Sequence, residues 1–130
     1  MARRRKKIKT PNTILLCNVD PAWDPHDRIA AEKQARSIAS ALRRHGNSLR
    51  TVLVRQPDLL PILAPFNTDK LAVLNWCEAL PGIRHSEAMV TELLESLRFS
   101  FTGASSETIM LCGDKPRVKM ILQKEHIPTP

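Results

Sequence analysis

The spacing of apolar residues changes along the chain, and each change marks an element. Thr13-Ile14-Leu15-Leu16-Cys17-Asn18-Val19 is a nearly continuous apolar run of strand length. Such runs suit strands buried on both faces, as in parallel sheets. Asp20-Pro21-Ala22-Trp23-Asp24-Pro25 then reads as a loop, with Asp24 placed to cap a helix and Pro25 at its first position. From there the period becomes helical. Ala31, Ala35, Ile38, Ala39 and Leu42 form one stripe of a helix expected over about 26–45. Gly46 supplies the left-handed residue that ends it. Leu49 to Val54 predicts a second strand, and Gln56 to Asn67, broken by Pro57, Pro61 and Pro65, has room for a short helical turn at most.

A third apolar run, Leu71-Ala72-Val73-Leu74, ends at Asn75-Trp76-Cys77-Glu78 and leads into a Pro81-Gly82 loop. Met89, Val90, Leu93, Leu94 and Leu97 stripe a second long helix over about 85–98, with Ser86 as its cap. Phe99-Ser100-Phe101 predicts a short fourth strand, closed by Thr102-Gly103. Two more helices follow, from about Ser105 to Leu111 and from about Lys115 to Glu125, the latter with Val118, Ile121 and Leu122 as its apolar face. Strands alternating with helices imply right-handed crossovers and an α/β, Rossmann-like, mostly parallel sheet with flanking helices. The helices at about 26–45 and 85–98 should cover its faces. Since the stripes read as complete, the core is expected to be self-sufficient. Ligands of such sheets bind beyond the carboxyl ends of the strands, which points to the loops Asp20–Asp27 and Asn75–Arg84.

At 130 residues one domain is expected, and 42% hydrophobic with 25% charged residues is ordinary globular usage. The net charge of +7 invites a nucleic-acid reading, so its location matters. Arg3, Arg4, Arg5, Lys6, Lys7 and Lys9 carry most of the excess; without them fourteen basic residues face thirteen acidic ones. The basicity therefore belongs to residues 1–12, read as a disordered tail, and residues 13–130 are nearly neutral. Aromatics make up 4% with no tyrosine, a poor endowment for stacking bases, so nucleic acid is not the expected partner. Cys17, Cys77 and Cys112 lie far apart in apolar surroundings, without CxxC spacing. They read as free, buried thiols of a reducing compartment. The apolar run at 13–17 is too short for a signal core or a membrane span, so a cytoplasmic protein with no membrane partner is expected.

Several chemistries are excluded by motif. The loop after the first strand lacks GxGxxG, and no GxxxxGK[ST], HExxH or GxSxG occurs. His26, His45, His85 and His126 have no ligand spacing, and Asp20, Asp24 and Asp27 are better explained by turns and caps than by a cation.

What remains is an ordered series. Leu74-Asn75-Trp76-Cys77-Glu78 precedes a leucine-rich helix with Glu87 and Leu93-Leu94-Glu95. Phe101-Thr102-Gly103-Ala104-Ser105 follows, then Asp114-Lys115 with Lys119, then Ile127-Pro128-Thr129-Pro130. In this order and interval the chain resembles the N-terminal, pre-ATP-grasp domain of D-alanine–D-alanine ligases, with their strand end, [FY]-T-G-S turn, D-K-x-x-x-K and G-I-P-T-P. The resemblance covers about 13–130 and is most specific over 74–130. It implies the N-terminal domain of an ATP-dependent carboxylate–amine ligase of peptidoglycan biosynthesis. There ATP and magnesium convert a carboxylate to an acyl phosphate that an amine then attacks. It places Lys115 at the nucleotide, and Asp27 and Glu78 at the amino-acid substrate. Asp27 stands where the family has a carboxylate that orients the first D-alanine. The G-G-x-S-x-E pattern is replaced by Cys17-Asn18-Val19-Asp20-Pro21-Ala22, and Glu78 stands where many members have histidine. A homodimer is the assembly the family suggests. The family's nucleotide clamp and metal carboxylates belong to later domains, so this chain alone is not expected to ligate. The alternative is a stand-alone, non-catalytic α/β binding or adaptor module, and the reading frame after Pro130 would separate the two.

Overall fold

The computed structural model describes residues 11–129; the basic run from Arg3 to Lys9, read above as a tail, lies outside them. Among the described residues the first to pair is Asn12, whose backbone and side chain bond Ser48 and whose carbonyl accepts from Ala72 N–H. Four strands form one sheet: β1 (Thr13–Asn18), β2 (Leu49–Val54), β3 (Ala72–Trp76) and β4 (Ser100–Phe101). All pairs are parallel, in the order β2-β1-β3-β4. The fold is α/β, as the alternating pattern implied.

The central position of β1 explains its unbroken apolar run, because every residue needs an apolar neighbour on one face or the other. Ile14 and Leu16 point to the face where Val52, Val54 and Val73 meet Val90 and Leu94 of α3 (Glu87–Ser96). Leu15 and Cys17 point to the opposite face, beneath Ala35 and Ala39 of α1 (Pro25–Arg44). The two expected helices thus cover opposite faces. Asp24 caps α1 by accepting from His26 N–H at 2.8 Å, Pro25 follows it, and Gly46 takes φ +89° just beyond the last turn.

Three features depart from the sequence reading. The proline-broken segment is more deeply buried than its pattern suggested: Leu59 and Leu63, the latter in the single turn α2 (Leu60–Leu63), enter the larger core. Ser86 takes the N-cap position of α3, as expected, but its side chain makes no cap bond. Its hydroxyl, fully buried, accepts from Leu80 N–H and donates to the Ile83 carbonyl, both at 2.7 Å, and so pins the loop before the helix. The third departure is at the carboxyl end. Neither α4 (Ser106–Gly113) nor α5 (Lys115–Lys124) buries a single residue. Met110, Met120, Ile121 and Ile127 are all exposed, so the stripes there are not complete within the described residues. Cys112, expected to be buried, is exposed on α4, while Cys17 and Cys77 are buried as expected.

Candidate functional site

The two loops singled out by topology meet. Beyond the carboxyl end of β1, the Asn18 side chain accepts from Glu78 N–H at 3.1 Å. Asp20 accepts from Ala22 N–H at 2.8 Å within its own turn and from Gly82 N–H at 2.9 Å in the other loop. These backbone bonds hold the Asp20 carboxyl below the usual carboxylate range. Asp20 and Asn18 therefore staple the β1–α1 connection to the β3–α3 connection. Sequence reasoning gave Asp20 a turn role and gave Asn18 none. An asparagine at the end of an apolar strand is the signal that was there to find.

A pocket of about 470 Å³ opens beside this staple. From α1 come Asp27, Ala31 and Gln34, at helical spacing on one face, with Ala30 beside them. From the strand ends come Asn18 and Trp76, from the β1–α1 turn Trp23, and from just past β3 Glu78. Trp76 lies two residues beyond Leu74, so the strand alternation puts it on the α1 side of the sheet, where Leu74 packs. The pocket falls between β1 and β3, where the strand order changes direction, the place this fold offers a ligand.

Asp27 and Glu78, expected at a substrate from positions far apart in the chain, line this one pocket. Among the described residues no Lys, Arg or His lines it, and its two charged lining groups are both carboxylates. Glu78 makes no side-chain hydrogen bond or ion pair among the described residues, its backbone N–H alone being engaged. Asp27 lies 3.8 Å from His26 Nδ1, with both side chains mostly exposed, a contact of little strength. Cys17 also lines the pocket, but burial pushes its thiol up to about 11, so at neutral pH it is protonated and no nucleophile. The arrangement can bind and orient a cationic group; it holds no nucleophile paired with a base.

Lys115 is elsewhere, as the first residue of α5, and does not line this pocket. The amides at that helix start are partly spoken for. Asp114 accepts from Arg117 N–H at 3.1 Å, and Pro116 has no N–H. A phosphate there would meet the Lys115 ammonium more than a cradle of backbone donors. The Thr102-Gly103 turn is structural: Thr102 Oγ1 accepts from Asn75 N–H at 3.0 Å, Gly103 takes φ +108°, and Ser105 caps α4. Asp24 serves as a cap and Asp20 as a clamp. Among the described residues no group of three or more His, Cys, Asp or Glu is placed to share a metal ion. Nor is any helix there long and apolar enough to cross a membrane.

No protein-family profile matches this chain, and no curated protein matches it.

Proposed function

We propose that the chain is the N-terminal substrate domain of an ATP-dependent carboxylate–amine ligase of the D-alanine–D-alanine type, acting in the cytoplasm. One observation carries the reading. Asp27 and Glu78, chosen for their match to the family's substrate positions, line the same pocket at the strand-order switch, with no Lys, Arg or His among its described lining residues. In this reading the two carboxylates hold the ammonium of the amino-acid substrate. That fixes the orientation of its carboxylate for activation and supplies the proximity on which ligation depends. Lys115 supplies a point cation to the nucleotide, and the remaining phosphate and magnesium contacts belong to the rest of the ligase.

The pocket half of the proposal is tested on the chain itself by titrating D-alanine and following backbone amide resonances. Saturable shifts at Asn18, Asp27 and Glu78 are expected, lost in Asp27→Ala and unchanged in Lys115→Ala. An absence of shifts well above the millimolar range typical of weak substrates would sink it. So would shifts that persist in Asp27→Ala. In a complete ligase, Lys115→Ala should weaken ATP use roughly ten- to a hundredfold, the worth of one charged hydrogen bond.

A further inference from the structure

The chain has two tryptophans and no tyrosine, and both tryptophans line the Asp27–Glu78 pocket. They remain substantially exposed there, Trp23 at 38% and Trp76 at 45%, so neither is consumed by the core. In a chain with 4% aromatic residues this is a concentration of ring surface at a single place. It coincides with two carboxylates, and no Lys, Arg or His is among the described residues that line the pocket.

Carboxylates alone would suit any cation. A bare ammonium is small and strongly hydrated, and it is best held by a dense set of oxygen acceptors. Indoles offer something different: a negative face and a large apolar area, both rewarded by a cation whose charge is spread over carbon-bound hydrogens. Ala30 and Ala31 form part of the remaining wall and add apolar surface without filling the space. The volume of about 470 Å³ falls among small-molecule sites, which run roughly from 300 to 1,000 Å³. We propose that this pocket selects an alkylated ammonium, its charge met by Asp27 and Glu78 and its alkyl groups by Trp23 and Trp76. The inference rests on the reading of the pocket as the amino-substrate site, and it narrows that substrate to a bulky organic cation.

The probe is tetramethylammonium, compared with ammonium and with D-alanine at matched ionic strength. Binding is read by calorimetry and by the two indole N–H resonances, which single tryptophan variants assign. Tetramethylammonium should bind saturably and shift both indoles, with ammonium at least tenfold weaker. Trp23→Leu or Trp76→Leu should each weaken tetramethylammonium about three- to thirtyfold, and Trp76→Phe should retain most of the affinity. Glu78→Gln should weaken it and flatten its salt dependence. Circular dichroism on every variant separates lost binding from lost folding. Equal affinity for ammonium and tetramethylammonium would overturn the inference, as would binding undiminished by both leucine variants. D-alanine bound with tetramethylammonium inert would overturn it too, leaving the ligase reading intact. Tetramethylammonium bound in the predicted way with D-alanine inert would support the ligand class and remove the D-alanine assignment.

Discussion

The region around β1 and the region around α4 and α5 are built by opposite means. Around β1, Ile14, Leu15 and Leu16 are wholly shielded, and the loops beyond are joined by the Asn18 and Asp20 side chains. Around α4 and α5 no residue is buried, and the tie to the rest runs through an exposed carboxylate, Glu95, bonded to Ser106 N–H at 2.9 Å and to its hydroxyl. Both regions carry apolar residues, so composition does not distinguish them. Position does: β1 has a strand on each side and a helix on each face, whereas α5 packs chiefly on α4. A rigid, twice-tied rim is what a binding pocket requires, and the pocket lies on the first region.

The comparison breaks most readily by truncating one side chain in each region. Leu16→Ala should cost about 2–5 kcal/mol, since it removes a fully enclosed side chain from the larger cluster. Ile121→Ala, at a position 43% exposed, should stay within about 0.5 kcal/mol. Urea unfolding of the two variants checks this. A cost at Ile121 close to that at Leu16 would mean that α5 packs against something that these contacts leave out.

A smaller effect is expected where the rim is pinned by one hydroxyl. Ser86→Ala strands the buried Leu80 N–H and the part-buried Ile83 carbonyl, which should cost about 1–3 kcal/mol. Ser86→Gly would blur the result by loosening the backbone, so alanine is the informative change. Thermal melting gives the cost. A melting temperature unchanged by Ser86→Ala would mean that the loop relaxes to find water, and that the connection before α3 is softer than its two bonds imply.

Much of this contrast was legible in the sequence, and the misses have definite causes. The β1 run and the α1 stripe could be read because period and burial agree: Leu15 and Cys17 oppose Ala35 and Ala39, and Ile14 and Leu16 face away. The end of α1 was readable from Gly46. The end of α3 fell within two residues of the reading, although Arg98 just beyond it takes φ 62°, a conformation no pattern announces for arginine. Leu59 and Leu63 were hidden by the prolines around them, which argue correctly against a long helix and say nothing about depth. Ser86 looked like a cap because it precedes a helix. Its hydroxyl instead serves a tertiary loop, which only the folded chain reveals. The pocket loops followed from topology, and Asp27 and Glu78 from the resemblance. The joint placement of Trp23 and Trp76 depends on a turn and a strand end coming together, and no local pattern encodes that.

The subtlest expected difference lies in acid, because each region is tied by a carboxylate whose pKa is held down. Two bonds to Ser106, side chain first and backbone second, lower Glu95; the Ala22 and Gly82 amides lower Asp20. A group depressed in the folded state contributes stability above its unfolded pKa, near 4, and loses it as pH falls through the lower folded value. Both ties should therefore hold at neutral pH and slacken below about pH 4. Their consequences should differ. When Asp20 protonates, Asn18 still joins the loops and the strands beneath stay packed, so Trp23 emission should shift only slightly. When Glu95 protonates, α4 and α5 lose a tie that no buried side chain replaces, and their amide protons should exchange faster while those of β1 stay protected. Asp20→Asn and Glu95→Gln should mimic these acid states at neutral pH, each with an effect that fades as the pH falls. If amides of β1 and α5 gained exchange together in acid, the two regions would form one cooperative unit, and the contrast drawn from burial would be wrong.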